Sequence, residues 1–406
     1  MASVYGVQFA NYVIPLVTLP YLSRVLGPSS WGLIAIAQAF AMYGGLLVEY
    51  GFIFSATRRL ALASTSAEIQ DVVAGVSGAK LLLSLAAFLA AFAAYLILPL
   101  FHANPLLLSV AVLSEIVKAF LPIYYFYGMR RVALASLLDI SARAVAAVGI
   151  FIFVHRPADV WKFFALQAAG AGAAFFAGHA MIHARHGLRR PRFTEGVRML
   201  REGGPMFLFR SAHNIYVLGN AFILGLFAPT QAVGYYSGAE KINSAAMGLL
   251  SPITTALYPR TAGMVNTSLP KTAKLTRVSW YVMGAVSLVL GAIMWFGSSL
   301  IVRIILGREF SESAGVLKIL SLRSPMVAWI NVLGFQWLLA LGLEKSFQRV
   351  TVAALLLNVL LAACFAPAFS YTGMAWAVVI SQAVAVIGVY IVVRSRGLNP
   401  FARTFL

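Results

Sequence analysis

The chain has 406 residues, 61% apolar and only 11% charged, against about 45–50% and about 25% in soluble globular proteins, so a soluble domain and a disordered chain are both excluded. Its 31 Lys and Arg outnumber 12 Asp and Glu for a net charge of +19, and the single cysteine, Cys364, excludes a disulfide framework or a multi-cysteine metal site. An all-α polytopic membrane protein is expected, with the basic excess reporting orientation rather than nucleic-acid binding.

A membrane-crossing helix needs about 20 mostly apolar residues. In chain order, twelve such segments are expected, at about 4–23, 31–54, 72–99, 105–127, 132–154, 160–183, 204–227, 231–256, 278–302, 313–341, 346–368 and 371–393. No Lys or Arg precedes the first, so it does not read as a cleavable signal, and the start is expected to lie upstream. With the N-terminus placed in the cytoplasm, nineteen Lys and Arg fall on the cytoplasmic side, five on the opposite side and seven inside the spans. That skew predicts twelve passes with both termini cytoplasmic.

The most basic connection separates six spans from six. The expected organisation is an N-terminal lobe over 1–184, a basic cytoplasmic linker over 185–203 and a C-terminal lobe over 204–406. The halves share a weak pattern. Val25-Leu26-Gly27-Pro28-Ser29-Ser30-Trp31-Gly32-Leu33 follows the first span, and Leu226-Phe227-Ala228-Pro229-Thr230-Gln231-Ala232-Val233-Gly234-Tyr235 follows the seventh. Equal orientation of the two copies predicts a parallel repeat, two lobes enclosing a central polar cavity. A Pro and a Gly also mark any tight turn.

The run Pro15-Leu16-Val17-Thr18-Leu19-Pro20-Tyr21-Leu22-Ser23-Arg24-Val25-Leu26-Gly27-Pro28 resembles the opening of bacterial polysaccharide transporters, the Wzx-type flippases of oligosaccharides linked to undecaprenyl diphosphate. The likeness continues through Trp31-Gly32, Gln38, Glu49-Tyr50-Gly51-Phe52 and Ser55-Ala56-Thr57-Arg58, and in the second half through Gly234-Tyr235, Ala239-Glu240-Lys241-Ile242, Pro252 and Leu257-Tyr258-Pro259. The chain departs from the family pattern in having Glu49 for Asp and Ile53 for Asn. The resemblance implies a fold like that of multidrug extruders and lipid II flippases (MATE-like). It also implies transport of a lipid-linked O-antigen, capsule or exopolysaccharide unit across the bacterial inner membrane, without enzymatic activity or a cofactor. Partners implied are membrane lipids, H+ or Na+ as a coupling ion, and polysaccharide polymerase machinery. A drug or cation antiporter and a lipid II flippase are the alternatives within the superfamily.

Charges inside a bilayer cost a few kcal/mol and are paired, snorkelling or functional. The in-span cations are Lys80, Lys118, Arg143, Arg210, Lys241, Lys318 and Arg323, and the anions are Glu49, Glu115, Asp139 and Glu240. Glu115 with Lys118 and Asp139 with Arg143 have the three- and four-residue spacing of pairs on one helix face. Lys80 is expected to snorkel, and Lys318 to be interfacial. Arg323, Lys241 and Arg210, with Arg24 and Arg58 at the span edges, are the candidates for a cationic cavity that holds a diphosphate. Glu49, Glu240 and Asp139 are candidates for ion coupling, with structural pairing as the rival role of Glu49. Gln38, Met42, Gly45 and Glu49 share one face of the second span. The aromatic run Tyr124-Tyr125-Phe126-Tyr127 and the pair Tyr235-Tyr236 read as interfacial belts, with sugar stacking as the rival. Gly170, Gly172 and Gly178 read as helix-packing positions. His179 and His183 make only a weak metal motif, and no phosphate-cradling Gly-Lys-Ser/Thr loop is present, so ATP is not expected to drive the protein.

Overall fold

The computed structural model describes residues 2–187, 189–265 and 267–402, with the side chains of 2–13, 205–206, 208–218, 255 and 256 outside that description. The described residues form sixteen α-helices, two short 3-10 turns and one π-helix, with no strand among them. Among the described residues, eight continuous helical stretches are long and apolar enough to cross a membrane. Two of them are bent, each holding a pair of expected passes. Helix α1 (Ala2–Glu49) breaks at Gly27, whose φ of 70° suits glycine, directly before Pro28. The last helix, α16 (Glu344–Ser395), breaks at Ser370 with φ 52°. The seventh and eighth expected passes are shorter helices in series, described below.

The chain forms two compact units, Met1–Phe222 and Ile223–Leu406. The first continues from α1 through Tyr50 and Gly51, both at positive φ, into α2 (Phe52–Leu62) and α3 (Ser66–Ile97). Thr65 caps α3 by accepting the Glu68 amide at 3.2 Å, and the Glu68 carboxylate accepts the Ser64 amide at 2.8 Å. Helix α3 is built inside out relative to a soluble helix. Lys80, Ser84, Ala87 and Ala91 recur on its buried face, while Leu81, Leu85, Phe88, Leu89, Phe92 and Leu96 are exposed. That pattern suits lipid, which solvates large apolar side chains and leaves small and polar ones to pack helices.

A single turn, α4 (Pro99–His102), leads to α5 (Pro105–Ala119), α6 (Ile123–Gly128), α7 (Val132–Phe153) and α8 (Val160–His186). Glycines set the close packing of α8. A Cβ on Gly170 would lie 2.2 Å from the Ala142 carbonyl oxygen, and one on Gly178 would lie 2.7 Å from Pro122 Cγ. Gly172 has only ordinary contact, 3.9 Å to Val117. The aromatic run is not a belt at its start: Tyr124, Tyr125 and Phe126 are buried in the core with Leu60, Leu121 and Leu138, and only Tyr127 is exposed. Tyr236 is buried as well. A belt needs a wet face, and these rings have none.

Within 185–203 lie the end of α8, at His186, and the first turns of α9 (Phe193–Leu218). This stretch lies clamped on α3. The Arg192 amide donates to the Ala74 carbonyl at 3.1 Å. A Cβ on Gly78 would be 2.5 Å from the Arg192 carbonyl oxygen, and one on Gly196 would be 2.7 Å from the Ala79 nitrogen.

The second unit begins within α10 (Asn220–Phe227) and continues through α11 (Thr230–Gly248), capped at Pro229, and α12 (Ser251–Val265). Helix α13 (Leu269–Ile305) repeats the inside-out pattern. Thr272, Thr276, Ser279, Ser287 and Ser298 are buried, while Val282, Val289, Ile293, Phe296 and Leu300 are exposed. Next come α14 (Ser313–Ser321), α15 (Ser324–Ile330), a π-helix (Asn331–Leu338) and α16.

Candidate functional site

The fourth and tenth expected passes are each interrupted, and each interruption carries a buried polar cluster. In the fourth pass α5 ends at Ala119 and Pro122 precedes α6. Proline supplies no amide hydrogen, and the last carbonyls of a helix have no intrahelical partner. Lys80, from α3, takes that role: its Nζ donates to the Ala119 carbonyl at 2.5 Å. The ammonium also lies over the Tyr124 ring at 4.9 Å and the Phe120 ring at 5.9 Å. Lys80 is 3% exposed, so the expected snorkelling is corrected. The helix break offers it a carbonyl and two π faces, which replace the water it would otherwise reach.

The neighbouring charges of this unit are committed locally. Lys118 pairs with Glu115 at 2.7 Å, and Arg143 grips Asp139 through Nε at 3.1 Å and Nη2 at 3.3 Å. Glu49, at the end of α1, accepts the Gly51 and Ile53 amides, each at 3.3 Å, and so ties the start of α2 to α1 across the Tyr50–Gly51 break. Gly45, on the same face of α1, packs against Glu115, where an added Cβ would come within 3.1 Å of the Glu115 Cβ.

In the tenth pass the interruption carries its own cation. Arg323 stands between α14 and α15, with Pro325 in the first turn beyond it. Its side chain is half-buried, and its Nε is buried with no hydrogen-bond partner among the described residues. Ser324 beside it is fully buried with its hydroxyl unpaired. From α11, Asn243 reaches the end of α14 and donates to the Leu320 carbonyl at 3.3 Å, while its own Oδ1 has no donor. Below the break, the π-helix holds Gln336, fully buried, with Nε2 on Met283 Sδ at 3.5 Å and Oε1 unpaired. Buried polar atoms left unpaired are costly unless something else meets them. π-Helical turns are frequent at functional sites.

The other expected site residues are placed as follows. Lys241 is exposed on α11, two residues from Asn243. Glu240 is half-buried and accepts the Tyr236 hydroxyl at 3.4 Å. Arg24 is exposed three residues before the Gly27 break, and Arg58 is exposed on α2. Arg210 lies in α9 with its side chain outside the described residues. Lys241 and Arg323 thus sit in the second unit, on elements joined by the Asn243–Leu320 contact. Lys80, Asn243 and Gln336 are the polar residues that sequence reasoning undervalued. Pro122 and Pro325 were the available signal, because each marks a place where backbone carbonyls must find partners from outside their own helix.

Comparison with known proteins gives this arrangement its context. A candidate O-antigen transporter of Escherichia coli (strain K12) is 29% identical over 366 residues, covering 87% of this chain and 86% of the relative. A candidate O-antigen transporter of Shigella dysenteriae is 26% identical over 386 residues, covering 92% and 93%. Among solved structures, the inward-facing conformation of a multidrug resistance MATE family transporter of the MOP superfamily superposes with a TM-score of 0.75. It shares 15% identity over 97% of this chain and 96% of that one. The lipid II flippase MurJ, in its inward closed conformation, gives a TM-score of 0.69 at 15% identity over 94% and 87%. These two likenesses establish the fold alone. The family profile described as "Polysaccharide biosynthesis protein" matches residues 1–265, well over half of the chain, and this multi-pass membrane protein belongs to that family.

Proposed function

We propose that the protein is a flippase that carries an oligosaccharide linked to undecaprenyl diphosphate across the bacterial inner membrane by alternating access, the repeat unit of an O-antigen, capsule or exopolysaccharide. Family membership and the two O-antigen transporter relatives support the cargo class. The observation that carries the reading is Arg323, a guanidinium at a break in a membrane helix with a buried, unpartnered Nε. A diphosphate is the chemistry such a group fits, since guanidinium–phosphate hydrogen bonds are charge-assisted and geometrically matched. In this proposal Lys241, Arg210, Arg24 and Arg58 complete the cationic path, and the lipid tail stays in the bilayer. Both termini are cytoplasmic, and an ion gradient drives the return step through Glu49, Glu240 or Asp139. Polymerase machinery receives the product.

The test is complementation of a strain that lacks its own oligosaccharide flippase. Arg323→Ala and Arg323→Lys are compared with the unaltered chain at matched expression. Restored surface polysaccharide that Arg323→Ala reduces at least about tenfold, with Arg323→Lys intermediate, is the expected result. Rescue indifferent to Arg323 removes it from the site and keeps the flippase. Absence of rescue by cognate-sugar strains, together with efflux of cationic drugs, would transfer the chain to the antiporter reading.

A further inference from the structure

Where α2, α3 and the start of α9 meet, the first unit holds a cavity of about 490 Å³ lined by Arg59, Arg192, Arg198, Glu68, Asp71 and Glu195, with Leu62, Ala63 and Val72. Three guanidiniums face three carboxylates there, joined by ion pairs that leave bonding capacity on both sides. Glu68 accepts the Ser64 amide at 2.8 Å, and Asp71 accepts Arg189 at 2.5 Å and Arg192 at 2.9 Å. Glu195 accepts Arg59 Nη2 at 3.1 Å. Part of the donor capacity is unused too. Arg59 Nη1 is buried with no hydrogen-bond acceptor, its distance to Glu202 being 3.6 Å. Arg198 forms ion pairs with Glu195 at 3.9 Å and Glu202 at 3.4 Å, and among the described residues it makes no hydrogen bond. Arg192 has one nitrogen engaged by Asp71. The cavity therefore offers Arg59 Nη1, the nitrogens of Arg192 beyond the one on Asp71, and the ion-paired Arg198 as donors to an oxyanion with several oxygens.

Its apolar side has a matching character. Leu62, at the cavity wall, is 74% exposed, and Ala63 and Val72 line the cavity with it. A free, fully hydrated anion gains nothing from such neighbours, whereas an anion attached to a hydrocarbon chain can rest its first methylenes on them.

We propose that this cavity is a binding site for a lipid-borne phosphate headgroup, held by Arg59, Arg192 and Arg198. Two lipids carry that chemistry: an anionic phospholipid of the surrounding leaflet, and the diphosphate of a polyprenyl-linked cargo. Only the second source rests on the function proposed above.

The test uses the full chain purified in a phosphate-free detergent, with binding followed by native mass spectrometry. The probes are phosphatidylglycerol and undecaprenyl diphosphate, with diacylglycerol as a phosphate-free lipid control and inorganic diphosphate as a tail-free one. Arg198→Gln should weaken binding of at least one phosphate lipid about tenfold. Its melting temperature should change little, because the Arg198 side chain is 67% exposed and its ion pairs with Glu195 and Glu202 are screened by solvent. Arg190→Gln removes an exposed arginine of the same segment that does not line the cavity, and should change binding by less than about twofold. Arg59→Gln should match Arg198→Gln in direction. Retention of phosphatidylglycerol identifies a resident lipid and stands even if the chain fails to complement a flippase mutant. Retention of undecaprenyl diphosphate alone identifies cargo. Equal weakening by Arg190→Gln and Arg198→Gln would mean diffuse surface charge and overturns the site. Equal binding of diacylglycerol, tighter binding of inorganic diphosphate than of either lipid, or no binding of any probe overturns it too.

Discussion

The interrupted fourth and tenth passes hold the same kind of group in opposite states. At the first, the cation comes from a neighbouring helix and is consumed: Lys80 caps the Ala119 carbonyl and rests on two aromatic rings. At the second, the cation belongs to the break itself, and part of it is left over, as are the Ser324 hydroxyl and Asn243 Oδ1. A buried charge whose bonding capacity is met holds the fold together. One whose capacity is unmet is available to a ligand. Position in the membrane does not separate the two cases, because both lie well inside their passes.

Substitutions can break this contrast or sharpen it. The largest effect is expected from Lys80→Ala, which removes the cation–π contacts and leaves the Ala119 carbonyl without its donor, a loss of about 3 kcal/mol. Thermal unfolding in detergent measures it, and a melting temperature equal to that of the unaltered chain would show that Lys80 is not structural. Arg323→Ala should do the reverse, with transport falling about tenfold or more and stability nearly unchanged. A melting temperature as low as that of Lys80→Ala would erase the distinction between the two sites. Asn243→Ala should cost about 1 kcal/mol and lower transport modestly, because it removes the bond that holds α11 to the end of α14; an unaltered melting temperature would make that bond dispensable. Smallest of all should be Asp139→Asn. Its partner Arg143 is more than a third exposed, so about 0.5 kcal/mol or less is expected. A large, proton-gradient-dependent loss of transport in Asp139→Asn would instead make that pair a coupling site.

Much of this was legible in the sequence. Span lengths, the Gly27–Pro28 break and the Glu115–Lys118 and Asp139–Arg143 pairs depend on residues near one another in the chain, and local spacing reports local geometry. The roles of Lys80 and Arg323 depend on whether a carbonyl from another helix arrives, and one-dimensional spacing is silent about that. The run Tyr124-Tyr125-Phe126 has the composition of a belt and the burial of a core, because α2, α3 and α8 enclose it. Glu49 is similar. Its amide partners lie two and four residues ahead, within reach of sequence reasoning, but only once Tyr50 and Gly51 are known to leave the helix. The π-helix at 331–338 has no residue signature that would have announced it.

The clamp of residues 192–196 onto α3 has a consequence for synthesis. A growing chain presents Arg192 only after six passes have been made. Until then the strip of α3 around Gly75, Gly78 and Ala79 has no cover. The first unit therefore closes upon arrival of its seventh helix, and a fragment ending at residue 184 would leave that strip bare.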